Sequence, residues 1–239
     1  MERKRGIIFD MDGVLVDAMP FHCEAIKRAA KEEVDIDIEQ RDVYLLEGKP
    51  GEDMVKQLLR EKRYTGNIEE GVSDDNSEKL DSIAHRIHER KKTIFKQINA
   101  SAPINGSKEL VSSLRCKKAL VSGAARQEVH SIINKYFGED AFDVIVTGED
   151  LEEGKPSPDP FRTALKKMGL TQSEAIVVEN APLGVKAANN AGIRSIVTLN
   201  NTPLKISDFD GLIANESIFP NTNSASSFLK EHCQHIPSD

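Results

Sequence analysis

Short apolar runs that end in turn residues recur along the chain and alternate with stretches of helical character. The runs cover residues 7–9, 119–121, 144–146, 175–178 and 195–197. Each has the length of a buried strand, and Gly or Ser follows several of them closely. The helical stretches cover about residues 107–114, 125–137, 158–168 and 182–191. This alternation predicts βαβ units and therefore an α/β fold, with a central parallel sheet covered by helices on both faces.

The interval from about residue 19 to residue 97 breaks this alternation. It is charged and helical in character and contains no convincing buried strand. Residues 47–51, Glu-Gly-Lys-Pro-Gly, predict a loop near its middle, and the polar stretch 63–76 predicts a second one. We therefore predict a core formed by residues 1–18 and 98–239, with a helical lobe formed by residues 19–97 inserted after the first strand.

The composition argues against several classes of protein. The chain has 239 residues and a net charge of −7, which argues against nucleic acid or an anionic membrane as its main partner. No stretch approaches the roughly 18 apolar residues of a membrane helix, and the apolar run after the basic start MERKR is too short for a signal peptide. Cys23, Cys116 and Cys233 are odd in number and widely spaced. They predict a reducing, cytoplasmic location and no chemical role for the thiols.

The first strand leads into the sequence Asp10-Met11-Asp12-Gly13. Because side chains alternate along a strand, Asp10 and Asp12 should project to the same side where the chain leaves the sheet. Two carboxylates in that position can divide a nucleophilic and an acid–base role, provided that a cation neutralises them. The same residues can instead simply cap a turn, and this segment alone does not decide between the two interpretations.

Four segments, in order, resemble the motifs of the haloacid dehalogenase-like superfamily, whose fold is a Rossmann-like core of three layers. They are FDMDGVLVD from Phe9, Val-Ser-Gly at 121–123, GKPSPD at 154–159 and VVENAPLG at 177–184. Because the helical lobe follows the first motif, the chain resembles members with a helical cap inserted there. Such members include β-phosphoglucomutase and phosphatases similar to phosphoglycolate phosphatase.

The resemblance implies a catalytic site built from the first three motifs. Asp10 would attack phosphorus, and Asp12 would protonate the leaving oxygen and later deprotonate water. Lys155 would stabilise charge on the transferring group. Ser122 and Gly123, together with Lys155, would bind the phosphoryl oxygens. Outside the family context, a helix cap for Ser122 and a solvated Lys155 would be the competing interpretations.

The resemblance also implies a Mg²⁺ site. Asp10, the backbone carbonyl of Asp12, Glu179 and Asn180 would supply its oxygen ligands. Many relatives of this type have Glu-Asp where this chain has Glu179-Asn180, so we expect weaker Mg²⁺ binding, although not its loss. The acidic pair at 149–150 could add charge nearby, but a solvated loop is the commoner role for such residues.

In members of this type, the cap closes over the site and supplies much of the specificity. His22, Lys49 and Lys91 are therefore our candidates for contacting the substrate, each with a structural or solvated role as the alternative. Residues 16–19 and 102–103 would be the hinges of the cap.

The expected function is that of a Mg²⁺-dependent phosphatase acting on a small phosphorylated metabolite, such as a phosphosugar, as a monomer or small homo-oligomer. A phosphosugar mutase is the alternative. A mutase must grip a second phosphate in the cap, typically with an arginine, and this chain has Gly51 where that arginine would be expected. A non-catalytic phosphate-binding protein is a third possibility, favoured only by Asn180.

Overall fold

The computed structural model describes residues 4–62 and 75–233, and their side chains except those of residues 75–77. Strands at six positions form one sheet: β1 (Gly6–Asp10), β2 (Lys117–Val121), β3 (Val144–Val146), β4 (Ala175–Glu179), β5 (Arg194–Thr198) and β6 (Ile218–Phe219). Their order is β3-β2-β1-β4-β5-β6, and every pairing is parallel. The five strands expected from the apolar runs are confirmed, whereas β6, with two residues, was not predicted because it is too short to give a pattern.

The α-helices of the described residues are α1 (Met19–Val34), α2 (Gln40–Leu45), α3 (Gly51–Glu61), α4 (Asp75–Ile98), α5 (Ser107–Ser113), α6 (Arg126–Tyr136), α7 (Asp159–Met168), α8 (Pro182–Ala191) and α9 (Thr222–His232). Helices α5, α6 and α9 pack on one face of the sheet, against Ile7 and Phe9 of β1. Helices α7 and α8 pack on the other face, against Ile8. The predicted α/β fold with a parallel central sheet between two helical layers is confirmed. None of the helices in the described residues is long and apolar enough to cross a membrane.

The central strands are buried on both faces, which explains their continuous apolar sequences. All five residues of β1 and of β4 are buried. In the register of the sheet, Asp10 lies opposite Val121 at the end of β2, and Phe9 lies opposite Val178 of β4. The residues that follow β1, β2 and β4 are therefore brought to the same edge of the sheet.

Helices α1 to α4 form the lobe between β1 and β2. Helices α1 and α4 lie against each other, and Ala29 and Ile87 are among the residues they bury. The two chain segments that lead into and out of the lobe also meet: the N–H of Asp17 donates to the carbonyl of Ala102 at 2.9 Å. The loop predicted at 63–76 lies outside the described residues except at its end, where residues 75–76 already belong to α4.

The cysteines differ from expectation. Cys116, just before β2, forms a disulfide with Cys233, just after α9, across 117 positions of sequence. The prediction that the cysteines have no chemical role is therefore wrong for this pair, and Cys23 alone is a buried free thiol. The spacing gave no local signal because the two cysteines meet only through tertiary packing. His232 is the last residue of α9, and its ring stacks on Phe228.

Candidate active site

The two aspartates of the first motif lie where β1 ends and the chain turns back on itself. Asp10 is the last residue of the strand and is only 7% exposed. The N–H of Gly13 donates to the carbonyl of Val16 at 2.8 Å, and the N–H of Val16 donates to the carbonyl of Met11 at 3.0 Å. Asp12 lies within this turn. Both carboxylates therefore stand at the edge of the sheet reached by the carboxyl ends of β2 and β4, where open parallel sheets bind ligands.

Gly13 is required in this turn for two reasons. Its φ of +76° lies in the left-handed region, which disfavours residues with a Cβ. A Cβ at this position would also stand 2.1 Å from Nδ2 of Asn180. The turn after β1 therefore packs directly on the residue that follows β4, and the first and fourth motifs are in contact.

Lys155 joins Asp10 to Glu179. Its Nζ donates a hydrogen bond to Oδ1 of Asp10 and another, at 2.5 Å, to Oε1 of Glu179. The side chains of Lys155 and Glu179 are 8% and 1% exposed. Burial by itself lowers the pKa of the ammonium, but the two carboxylates outweigh it, so the pKa of Lys155 is raised above its usual value. The predicted catalytic lysine is therefore charged and in contact with the predicted nucleophile.

Asp10 lies near two other acidic residues, Glu179 and Asp12, and the single positive charge of Lys155 does not neutralise all three carboxylates. Burial raises the pKa of Asp10 to about 8; Lys155 opposes that rise, and Glu179 and Asp12 add to it. A further cation at this edge of the sheet would favour the ionised form of Asp10, which is the form that can act as a nucleophile.

Ser122 and Gly123 follow β2, beside Asp10 in the sheet register. The N–H of Ser122 donates to the carbonyl of Val146 at 2.9 Å, and its Oγ accepts from the N–H of Ala124 at 3.2 Å. Ser122 is 2% exposed, whereas a Cβ at Gly123 would have no heavy atom of the described residues within 4 Å apart from those of Gly123 and its two chain neighbours. The loop thus combines a fixed serine with open space at the glycine, which is compatible with the approach of a phosphoryl group.

Glu179 and Asn180 end β4 and are both buried. Oε2 of Glu179 accepts from the N–H of Asn180 at 3.0 Å and from the N–H of Ala181 at 3.4 Å. A Cβ on Gly184 of α8 would stand 2.0 Å from the carboxyl carbon of Glu179. Gly184 is therefore the residue that lets the carboxylate lie against α8 while its other oxygen bonds to Lys155.

Glu47, in the loop between α2 and α3, was not predicted as a site residue. Nδ2 of Asn180 donates to Oε2 of Glu47 at 2.8 Å, across 133 positions of sequence. Glu47 is 7% exposed. Burial, together with the nearby Asp10, raises its pKa well above the usual value, and the hydrogen bond from Asn180 opposes this. The sequence favours Lys49 as the residue of this loop that contacts the substrate. It does not indicate Glu47, because nothing in the sequence shows that a single glutamate in a charged loop is buried.

His22 and Lys91 lie next to Asp12. Nε2 of His22 is 3.8 Å from Oδ2 of Asp12, and its Nδ1 is 2.9 Å from Nζ of Lys91. The His22 ring stacks on Phe95 with 4.0 Å between ring centroids. Burial lowers the pKa of Lys91, and the charge of Asp12 opposes that decrease. Two of the three cap candidates are thus gathered at the acidic edge of the sheet.

The third cap candidate and the acidic pair after β3 have local partners instead. Nζ of Lys49 donates to Oε1 of Gln57 in α3, and not to the aspartates. Oδ2 of Asp150 accepts from the N–H of Thr147 at 2.9 Å, and Oδ1 accepts from Lys167 at 2.8 Å. Asp150 therefore holds the turn after β3 to α7, and its contacts do not extend to the motif residues.

The donor atoms at this edge of the sheet fit a hard cation. Among the described residues, three of the buried side-chain oxygens without a hydrogen-bond partner belong to this edge: Oδ1 of Asp12, Oε1 of Glu47 and Oδ1 of Asn180. Carboxylate and amide oxygens are the donors that Mg²⁺ prefers. In the part of the chain that the structure describes, no three His, Cys, Asp or Glu side chains form a metal-binding group on their own. The predicted set does not require such a group, because two of its four donors are an amide and a backbone carbonyl.

Comparisons with known proteins agree on one family. A family model described as haloacid dehalogenase-like hydrolase matches residues 7–198. The phosphorylated carbohydrates phosphatase of Thermotoga maritima is 30% identical over 195 residues, which are 80% of this chain and 83% of that protein. The β-phosphoglucomutase of Bacillus subtilis is 24% identical, with 84% of this chain and 85% of that protein covered.

The fold is likewise shared with a solved structure. A protein described as a β-phosphoglucomutase from Bacteroides vulgatus superposes with a TM-score of 0.76 at 27% identity. The superposition covers 94% of this chain and 87% of that one. It therefore includes the helical lobe as well as the sheet.

Proposed function

Because the chain belongs to the haloacid dehalogenase-like hydrolase family, we propose that it is a Mg²⁺-dependent phosphatase that hydrolyses small phosphomonoesters through a phosphorylated Asp10. The observation that carries the proposal is the contact of the buried Lys155 with both Asp10 and Glu179. A buried ammonium between two carboxylates, next to unpartnered oxygens, suits a site that receives a phosphoryl group.

In the proposed first step, a carboxylate oxygen of Asp10 attacks phosphorus while the bond from phosphorus to the ester oxygen breaks. Asp12 gives its proton to the leaving oxygen. Asp10 then carries the phosphoryl group as an acyl phosphate, and Asp12 is left as a carboxylate. The buried, unpartnered Oδ1 of Asp12 is an atom that could hold that proton.

In the second step, water attacks phosphorus and the bond to Asp10 breaks. Asp12 takes a proton from the water as the new bond forms, which returns both aspartates to their starting states. Lys155 would hold Asp10 in place and stabilise charge on the phosphoryl oxygens throughout. Ser122 and Gly123 would bind those oxygens from the end of β2.

The residues that would hold Mg²⁺ are Asp10, Glu179 and Asn180 through their side chains and Asp12 through its carbonyl. The bound ion would offset the negative charge of the carboxylates and of the phosphoryl group. The unpartnered oxygen of Asn180 supports its place in this set.

We further propose that residues 19–97 act as a cap over the core formed by residues 1–18 and 98–239. The hydrogen bond between Asp17 and Ala102, and the bridge between Val16 and Pro103, place the two connections side by side. Two adjacent connections are suited to a hinge. His22 and Lys91 would then meet the part of the substrate beyond its phosphate, which in the phosphatase from Thermotoga maritima is a carbohydrate, as its name states.

The mutase remains the second candidate because the Bacillus subtilis relative has that activity in its name. One observation disfavours it. A Cβ at Gly51, the position where a phosphate-gripping arginine would be expected, would stand 2.1 Å from Cε1 of His88. The imidazole thus occupies the space next to Gly51, and a longer side chain there would require the histidine to move.

The test is phosphate release from p-nitrophenyl phosphate and a panel of phosphosugars, with Mg²⁺ and with chelator. We expect release that requires Mg²⁺ and that falls by about four to six orders of magnitude in Asp10→Asn. Asp210→Asn, at an exposed position, is the matched control. A residual rate in Asp10→Asn within tenfold of wild type would refute Asp10 as the nucleophile. Isomerisation of β-glucose 1-phosphate without free phosphate, in the presence of the bisphosphate, would favour the mutase.

A further inference from the structure

Glu47 brings a fourth carboxylate to the edge of the sheet, and it comes from the cap. Its Oε2 accepts the 2.8 Å hydrogen bond from Asn180, and its Oε1 is buried without a partner. The loop that carries it lies on the motif residues: a Cβ at Gly48 would stand 2.7 Å from Cδ of Lys155, and a Cβ at Gly154 would stand 3.0 Å from Cδ of Pro50. Glu47 is thus held over the site by the packing of its loop.

A purely structural role does not explain why an ionisable residue is buried at position 47. A glutamine could accept the same hydrogen bond from Asn180 without placing another ionisable group among Asp10, Asp12 and Glu179. Burying a carboxylate is unfavourable unless opposite charge or several donors compensate it, and here one neutral amide is the hydrogen-bond donor. A cation that binds between these groups would supply the compensation.

The hydrogen bond also fixes which way the amide of Asn180 points. Because Nδ2 donates to Glu47, Oδ1 faces away from Glu47 and is left without a partner. An amide oxygen is a ligand for Mg²⁺, whereas an amide NH₂ group is not. Glu47 therefore selects the orientation of Asn180 in which the amide can serve a metal ion.

We propose that Glu47 belongs to the Mg²⁺ site: it supplies from the cap the negative charge that residue 180 lacks, and it orients the oxygen of Asn180 toward the ion. The inference rests on the proposed function, because it requires that Mg²⁺ bind at this edge of the sheet. It implies that Mg²⁺ binding and closure of the cap loop favour each other. The free energy of one is linked to that of the other through the Glu47–Asn180 contact.

The first test measures Mg²⁺ affinity by calorimetry in Glu47→Gln, without substrate. The variant keeps an acceptor for Asn180 but removes the charge, and we expect Mg²⁺ affinity to fall about 10- to 100-fold. The matched control is Glu52→Gln, in the first turn of α3, whose carboxylate is half-exposed and bonds to His85. Its Mg²⁺ affinity should equal that of wild type. Equal Mg²⁺ affinities of Glu47→Gln and wild type would overturn the inference about Glu47 but would leave the proposed function intact.

The second test moves the charge from one partner to the other. Glu47→Gln combined with Asn180→Asp restores one carboxylate and one amide in exchanged positions, and we expect it to recover most of the Mg²⁺ affinity that Glu47→Gln loses. The effects of the two substitutions should be strongly non-additive, because the residues are in contact. Additive effects would contradict the proposed pairing.

The third test needs no variant, so it holds even if the substituted proteins fold poorly. Hydrogen exchange of the wild-type protein is compared with and without Mg²⁺. Protection of the amides of residues 46–49 is expected, because the ion should hold the cap loop closed. Protection confined to the strand ends of the core would overturn the inference and leave the proposed function intact. If wild type binds no Mg²⁺, the inference and the metal dependence of the proposed function fail together.

Discussion

The ammonium nitrogen of Lys155 lies 2.5 Å from Oε1 of Glu179, and both side chains are more than nine-tenths buried. The same nitrogen bonds to Asp10. This contact connects a residue of the loop before α7 to the ends of β4 and β1. Lys155 therefore supplies the positive charge that compensates the carboxylates of Asp10 and Glu179 at the edge of the sheet.

Replacement of Lys155 by Met should destabilise the protein and abolish phosphate release. Removing one partner of a buried ion pair costs about 3–5 kcal/mol, because the remaining charges stay buried without compensation. The free energy of unfolding is measured by urea titration in the presence of chelator. Lys186→Met, at an exposed position of α8, is the control and should change it by less than about 0.5 kcal/mol. A similar small change in Lys155→Met would contradict the assigned contacts.

Gly184→Ala should be destabilising even though alanine favours helices. The new methyl would stand 2.0 Å from the carboxyl carbon of Glu179, so either the carboxylate or α8 must shift. Overpacking of this kind costs typically about 1–3 kcal/mol. Gly123→Ala is the steric control, because among the described residues its added methyl would lie within 4 Å of no atoms other than those of its own residue and its two chain neighbours. The unfolding temperatures of Gly184→Ala and Gly123→Ala are compared by thermal unfolding. Equal values would show that Glu179 can move freely.

Lys91→Met should weaken binding of the sugar part of a substrate more than it slows catalysis. We expect the KM for the best phosphosugar to rise about 10- to 100-fold, the range typical of a lost hydrogen bond from a charged group. The rate with p-nitrophenyl phosphate, which lacks sugar hydroxyls, should change little. Lys92→Met is the control, since Lys92 is half-exposed and pairs with Glu89. Equal losses with both substrates would refute a role in specificity.

The contacts of Asp150 predict a pH-dependent contribution to stability. Hydrogen bonds from Lys167, Thr147 and Arg126 hold the pKa of Asp150 well below its usual range. A carboxyl group whose pKa is lower in the folded state stabilises the protein above its unfolded pKa of about 4, and this contribution is lost as the pH falls through the folded value. Wild type should therefore be more stable than Asp150→Asn at neutral pH.

The difference in the free energy of unfolding between wild type and Asp150→Asn should decrease as the pH is lowered from about 5 toward about 2. Urea unfolding at several pH values measures it. Asp140→Asn, at an exposed position, provides the baseline for loss of an acidic charge. A difference that stays constant with pH would show that Asp150 contributes through shape and not through its charge.

The local patterns of the sequence were sufficient for five of the six strands and for the helices α5 to α8. The strand runs and the helix at 182–191 were located because a strand buried on both faces is continuously apolar and because Pro182 opens α8. Because β1, β2 and β4 are neighbouring parallel strands, their carboxyl ends lie at one edge of the sheet. The structure brings Asp10, Lys155 and Glu179 together there.

What could not be predicted depends on contacts between distant parts of the chain. Cys116 and Cys233 are 117 positions apart, and Glu47 and Asn180 are 133 apart. No spacing rule relates such pairs. Lys49 illustrates the converse, because a lysine in a loop near the site bonds to a neighbouring helix instead. The sequence shows which residues a loop offers, and the packing of the loop determines which of them turns inward.

The hydrogen bond between Asp17 and Ala102 has an evolutionary consequence. It brings together the two ends of the segment between Asp17 and Ala102, so this segment begins and ends at the same place beside the sheet. Selection could change that segment, or replace it by one of a different length, without changing the order of the strands in the sheet. If residues 19–97 act as the proposed cap, new substrates could be accommodated by changes in this segment alone, while Asp10 and Lys155 keep their positions.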